Sequence, residues 1–409
     1  MAAWQEFGPI TPRNAGLAAD VLGAEISHHA GLRELLETAA HTAHALVLLV
    51  NDPHRATLTR AALLALSEAA RRAAQALPPC RAIVATGTHK FPAPERAAFE
   101  HATFADCGLP IAQIDWHDCD AVDLREFGGV RLHPLVAEAR CLLAIGSVEP
   151  HYFAGLTGAH KTATIGVMAR ADIEKNHAGA LDPASDLFRL DGNPVYDGVR
   201  HVVESLRSAG KSLVAINEVI AQDALVACAV GDPLEALHRL APVARRTFSH
   251  EIPNPADILH LCVAPPLSRN LYQADKALKN NHLAVRDGGA IILDAECREG
   301  VGPDGFLALL RSASTYAAAR QTVAANGYRL GDHKAVKLRH LTDAHGRGVR
   351  VFLVSRHVPQ DAAALCGMTL CPDIEAALAA AGDSPRASAV RVHDAGNVCV
   401  AARKSEPRA

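Results

Sequence analysis

Residues 45–52 read ALVLLVND, six apolar residues closed by an Asn-Asp pair. A run this short, rich in Val and Leu and ended by turn residues, is a strand buried on both faces, as in parallel sheets. The next stretch, TLTRAALLALSEAARRAAQAL (57–77), spaces its apolar residues for one face of a helix. RAIVATGTH (81–89) and CLLAIGSV (141–148) repeat the strand signature, and SLVAINEVI with ALVACAV (within 212–230) reads as a hairpin-type pair. The pattern restarts after FSHEIPNPADILHLCVAPP. DILHLCVA (257–264), GGAIILDAE (288–296) and RVFLVSR (350–356) are strands, alternating with helices such as NLYQADKALKNNHLAV. The expected class is therefore α/β, with mostly parallel sheets covered by helices.

A chain of 409 residues exceeds one ordinary core, so two domains are expected. The Pro-containing stretch near 252–255 marks the boundary, giving an N-terminal α/β domain 1–252 and a C-terminal α/β domain 253–409, with the active site in the cleft they share. Apolar residues make up 49%, charged residues 21% and aromatics 4%, so the core relies on Ala, Val, Leu and Ile. A net charge of −3 carries no electrostatic footprint for nucleic acid or an anionic membrane. The start MAAWQEFGPI lacks the pattern of a signal peptide, and no apolar run approaches the roughly 18 residues of a membrane span, so a cytoplasmic location is expected. None of the ten cysteines forms a Cys-x-x-Cys pair, and several lie in strand-like runs. They read as reduced core thiols rather than zinc ligands or disulfides. The end, RKSEPRA, reads as a frayed tail.

Open α/β sheets bind ligands beyond the carboxyl ends of their strands. After the first strand come Asp52 and Arg55; after the second, Thr86, Gly87, Thr88 and His89; after the third, Glu149, His151 and a glycine loop leading to Lys161. Each has a bland alternative: Arg55 as a helix-start charge, His89 as a cap, His151 as a core histidine, Lys161 as a solvated side chain. Their joint placement after successive strands favours a site. Arginine offers a planar fork for a carboxylate, histidine takes and returns protons near neutrality, and lysine can bind phosphate or form a covalent link to a cofactor. His177, sixteen residues beyond Lys161, is a candidate metal ligand or simply a surface histidine. The stretch HYFAGLTGAHKTATIGV (151–167) is not a P-loop: His160 precedes Lys161 where that motif requires glycine.

In order along the chain, DPHR (52–55), ATGTHK (85–90), PHYFAGLTGAHK (150–161) and NLYQADKAL (270–278) resemble the motifs D-x-T-R-P, A-T-G-x-H-R, P-H-x-x-A-G-F-S-G-G-x-K and N-x-Y-Q-x-x-K-A-L of the nickel-dependent lactate racemase family. That family uses a nickel-pincer nucleotide to racemise or epimerise 2-hydroxy acids by reversible hydride transfer. The resemblance implies that Lys161 anchors the cofactor, with Gly155, Gly158, Thr86 and Gly87 around it, and that His177 is the protein's ligand to nickel. It implies an acid/base pair in His89 and His151. Arg55 and Lys276 would bind the substrate carboxylate, supported by Asp52, Tyr272 and Gln273. Cofactor-maturation proteins would be partners. His54, Ala56, Lys90, Leu156, Thr157, Ala159 and His160 depart from the motifs, which points away from lactate itself and toward longer or more polar 2-hydroxy acids. Two alternatives remain open: a nicotinamide-dependent 2-hydroxyacid dehydrogenase, although no G-x-G-x-x-G follows a strand, and an inactive ligand-binding homologue.

Overall fold

A computed structural model describes residues 3–11, 18–41, 46–73, 77, 79–303 and 305–403. Most of the tail, Lys404–Ala409, lies outside the described residues. The chain divides into two compact units, residues 11–245 and residues 1–10 with 246–409.

In the unit 11–245, six strands lie in the order Ala224–Gly231, Ser212–Ala221, Cys141–Ser147, Leu46–Asn51, Cys80–Ala85, Ile111–Trp116. All neighbours are parallel except the first pair, which is the antiparallel hairpin read from the sequence. Leu46–Val50 and Cys141–Ser147 are buried throughout, as apolar runs covered on both faces must be. Helix Thr59–Arg72 turns Ala62, Leu63, Leu66 and Ala70 onto the sheet, a spacing of three and four residues. Leu143, in the middle of its strand, is fully buried, so Leu143→Ala would cost about 2–5 kcal/mol. Helix Pro194–Ser208 starts where Asn193 accepts the Val195 and Tyr196 amides, with Pro194 placed where its missing N–H costs nothing.

The second unit contains another six-stranded sheet, parallel throughout, in the order Ala3–Phe7, Ser388–Val392, Ala256–Cys262, Val285–Asp294, Arg350–Val354, Met368–Cys371. One face carries the larger core, including Leu259, Leu261, Ile291, Leu293 and helix Leu271–Asn281. The other face packs Ile258, Ile292 and Phe352 against helix Ile374–Ala381. Two elements differ from the boundary read at 252/253. The first strand, Ala3–Phe7, is the edge strand of this second sheet, and Ser249–Ile252 pairs with Cys399–Ala402 in the same unit. Both pairings join distant parts of the chain, so no local composition announces them. All ten cysteines are free and nine are buried. Among the described residues no helix is long and apolar enough to cross a membrane.

Candidate active site

Strand Leu46–Asn51 lies beside Cys141–Ser147, and the chain order reverses between them, which makes this the switch point where open α/β sheets form a crevice. Asn51, at the end of the first, ties the region together. Its Oδ1 accepts from the Ser147 amide (3.1 Å) and the Thr57 hydroxyl (2.8 Å), and its Nδ2 donates to Thr162 Oγ1 (2.9 Å). The next residue, Asp52, is buried; Oδ1 accepts from the His54 amide at 2.9 Å and Oδ2 lies 2.7 Å from His89 Nδ1. Burial pushes the Asp52 carboxyl up, but the His89 imidazole, with His54 and Arg55, outweighs it and holds the group below the usual carboxylate range. Arg55 Nη1 donates to Glu149 Oε2 at 3.1 Å, and Glu149 Oε1 accepts from the Ser147 hydroxyl at 2.8 Å.

The turn that presents His89 is held from within. Thr86 donates its hydroxyl to the His117 carbonyl (2.6 Å), and Gly87, at φ 56°, donates its amide to Gly166 O (2.9 Å). These two residues therefore build the turn with the groups assigned to a cofactor by resemblance.

His151 ends the two-residue strand Pro150–His151, which pairs antiparallel with Gly155–Leu156. Its Nδ1 accepts from the Ala154 amide at 3.4 Å, and its ring lies parallel to Tyr152. Gly155 has φ 74°, and any Cβ there would come within 2.2 Å of the Arg189 carbonyl. Gly146 serves differently: a Cβ on it would meet the Ala159 amide nitrogen at 2.6 Å, so its absence lets the short helix Ala159–Thr162 press against the strand. Gly158 opens that helix, whose Ala159 amide donates to Asn217 Oδ1 at 2.7 Å.

Phe153 is the hub that sequence reasoning missed. Its buried ring lies 4.4 Å from His151 and 5.0 Å from His177 by centroids, with Lys161 Nζ at 5.9 Å. Asn193 Nδ2 fixes the Phe153 carbonyl at 2.9 Å. His177, near the end of helix Arg170–Ala178, has its imidazole pushed down to about 3, first by burial and then by the Lys161 charge. It is neutral at physiological pH, the form that ligates metal. The two clusters are joined through Glu149, two residues before His151, and through Thr162, which follows Lys161.

Glu218 was also missed. Fully buried in strand Ser212–Ala221, it accepts the Leu58 amide at 2.7 Å with Oε2 and so holds the loop carrying Asp52 and Arg55. Burial lifts its carboxyl to about 7, against the pull of the Leu58 hydrogen bond. One acid inside a mostly apolar strand was the available signal.

Tyr272, Gln273 and Lys276 belong to the second unit, on helix Leu271–Asn281, which Asn270 caps by accepting the Gln273 amide at 3.0 Å. Lys276 is buried and donates to Asn397 Oδ1 at 3.2 Å. The Tyr272 ring lies under Lys334 Nζ at 4.0 Å, and burial raises its phenol to about 12. Lys334 itself falls to about 8 through burial, partly countered by Asp275.

Among the described residues three groups of His, Cys, Asp or Glu have ligand atoms within 4.8 Å of one another, one of them Asp52, His54 and His89. His177 is in none of them. His177 would offer a metal one imidazole, to which a bound ligand would add donors of its own. That donor set, with a lysine beside it, fits a nucleotide that carries its own sulfur and carbon donors.

Sequence models of the lactate racemase N-terminal domain and C-terminal domain match residues 19–187 and 254–394. The chain belongs to the lactate racemase family. It is 30% identical over 182 residues to a lactate racemase of Thermoanaerobacterium thermosaccharolyticum, covering 44% of this chain and 42% of that one. It is 26% identical over 237 residues to a lactate racemase of Lactiplantibacillus plantarum, covering 55% and 54%. The matches therefore span about half the length of these curated relatives. The fold is similar to that of the lactate racemase apoprotein from T. thermosaccharolyticum, with a TM-score of 0.81 at 22% identity, over 96% of this chain and 94% of the other. A crystal structure of a Thermotoga maritima protein is similar at a TM-score of 0.74 and 13% identity, over 95% and 99%.

Proposed function

We propose that this protein is an isomerase that racemises or epimerises a 2-hydroxy acid, with His89 and His151 as its acid/base pair. The observation that carries the reading is the gathering of His151, Lys161 and His177 around Phe153, joined through Glu149 to Arg55 and to the Asp52–His89 pair. Asp52 accepts the Nδ1 proton of His89, which leaves Nε2 with its lone pair, the state of a base. His151 accepts an amide at Nδ1, so a proton it exchanges with substrate passes through Nε2. An imidazole that takes the hydroxyl proton as a neutral base and returns it as imidazolium is what removing and restoring that proton on a substrate requires. Arg55, held on one side by Glu149, orients the substrate carboxylate, and Lys276, Tyr272 and Gln273 keep the substrate-binding role implied by the resemblance.

Lys161 would anchor a nickel-pincer nucleotide and His177 would ligate its metal. When bound, that group supplies a reversible acceptor for the α-hydrogen as hydride. Maturation proteins would deliver the cofactor, and the cytoplasm is the compartment assigned to the enzyme. His54 and Ala56, beside Asp52 and Arg55, alter the substrate loop and favour acids larger or more polar than lactate.

Intact mass and metal analysis of protein co-expressed with cofactor-making proteins test the reading. The expected result is nickel together with a covalent mass increase on Lys161, both lost in Lys161→Ala. Matured protein with neither nickel nor adduct would overturn the cofactor assignment, and stoichiometric NADH formation with a 2-hydroxy acid would establish the dehydrogenase instead.

A further inference from the structure

The second sheet has a switch point of its own, between Ala256–Cys262 and Ser388–Val392, where the chain order again reverses. At the carboxyl end of Ala256–Cys262, His260 and Cys262 lie two residues apart and so share a face, and Asp294 stands opposite Cys262 on the neighbouring strand. We propose that His260, Cys262 and Asp294 bind a divalent transition-metal cation of the zinc class, with a fourth position open to water.

The distances carry the argument. His260 Nε2 lies 3.4 Å from Asp294 Oδ2 and 3.6 Å from Cys262 Sγ, and all three atoms fall within 4.8 Å of one another. Tetrahedral zinc with its usual bonds to nitrogen, oxygen and sulfur sets its ligands about 3.3–3.6 Å apart. A charge-assisted His–Asp hydrogen bond would be shorter, about 2.7–2.9 Å. The acid and the thiol also address the same ring nitrogen. A nucleophilic relay needs them on opposite nitrogens, whereas a shared metal needs them on one side.

His260 is buried, while Cys262 and Asp294 are partly exposed, so the ring is fixed and the remaining position faces solvent. Arg391 Nε donates to His260 Nδ1 at 3.2 Å. The Arg391 charge is already met by Glu6 at 2.8 Å, and its guanidinium lies over Trp4 at 5.2 Å. Metal at Nε2 moves the ring proton to Nδ1, so the Arg391 hydrogen bond must break and Arg391 must turn wholly to Glu6 for the site to fill. Charge balances as well: the thiol gives its proton to solvent, and thiolate plus carboxylate neutralise a dication. Thiolate with imidazole selects zinc, cobalt or nickel over magnesium or calcium.

Cobalt(II) titration of the chelator-treated full chain, followed by absorption, tests this. The expected result is one equivalent giving tetrahedral d–d bands and a thiolate-to-cobalt charge-transfer band, displaced by zinc, with the band lost in Cys262→Ser. Asp294→Asn should weaken binding at least about tenfold while circular dichroism stays native. Cys119→Ser, altering the separate group Asp118–Cys119–Asp120, should leave the band unchanged. A folded wild-type chain without the charge-transfer band, or a band that survives Cys262→Ser, overturns the proposal.

Discussion

His89 and His151 follow two strands of one sheet, yet the halves of the site that hold them are built from different chemistry. Around His89 the fixing groups are carboxylates: Asp52 on the ring, Glu149 on Arg55, and Glu218 on Leu58 at the end of the loop that carries Asp52 and Arg55. Around His151 they are amides and rings: Asn217 on the Lys161 helix, Asn193 on the Phe153 carbonyl, and Phe153 itself. Carboxylates titrate and amides do not. The comparison therefore separates fixing groups that respond to pH, around His89, from fixing groups that do not, around His151.

The largest expected effect removes either ring. His89→Ala and His151→Ala should each lower turnover by about 10²–10⁴-fold with the fold intact by circular dichroism. Near-full activity in either one breaks the pairing. Glu218→Gln comes next. A carboxyl raised from 4.5 to about 7 leaves the folded state holding a proton that the unfolded chain has released. Its contribution is thus intact below pH 4.5 and is lost as pH climbs through 7, on the order of 3 kcal/mol in all. The glutamine variant should flatten the pH dependence of the melting temperature between pH 4.5 and about 7, and an unchanged slope would place the titration elsewhere.

Asp52→Asn should slow turnover by about 10²-fold and shift the pH–rate profile, because an amide facing His89 Nδ1 no longer fixes the proton there. The lowered Asp52 carboxyl has the opposite linkage to Glu218: its stability is present above 3.8 and is lost as pH falls below it. The smallest effect lies on the other half. Asn193→Ala removes a helix cap and the Phe153 tether, and should cost about 1–2 kcal/mol with no change in the pH dependence of stability.

The parallel sheets were legible because buried strands are short apolar runs, and ALVLLVND and CLLAIGSV declare themselves without any partner in view. The placement of Arg55, His89, His151 and Lys161 beyond strand ends was legible for a related reason, since each follows such a run. Phe153 was not, because an aromatic residue beside a glycine loop reads as core until His177 and Lys161 are seen against it. Asn193 had the Asn-Pro signature of a helix start but no sign that it also tethers Phe153. The place of Ala3–Phe7 depends on Ser388–Val392, at the far end of the chain. Local pattern cannot reveal a pairing of that separation.

Interconversion of a single enantiomer in deuterium oxide, followed by chiral chromatography with mass detection, tests the central claim most directly. Matured protein with a suitable 2-hydroxy acid is predicted to form the opposite configuration with the α-hydrogen retained, since the imidazoles handle only the hydroxyl proton. Deuterium appearing at the α-carbon, or no inversion across a panel of short, branched and dicarboxylic 2-hydroxy acids, would contradict it.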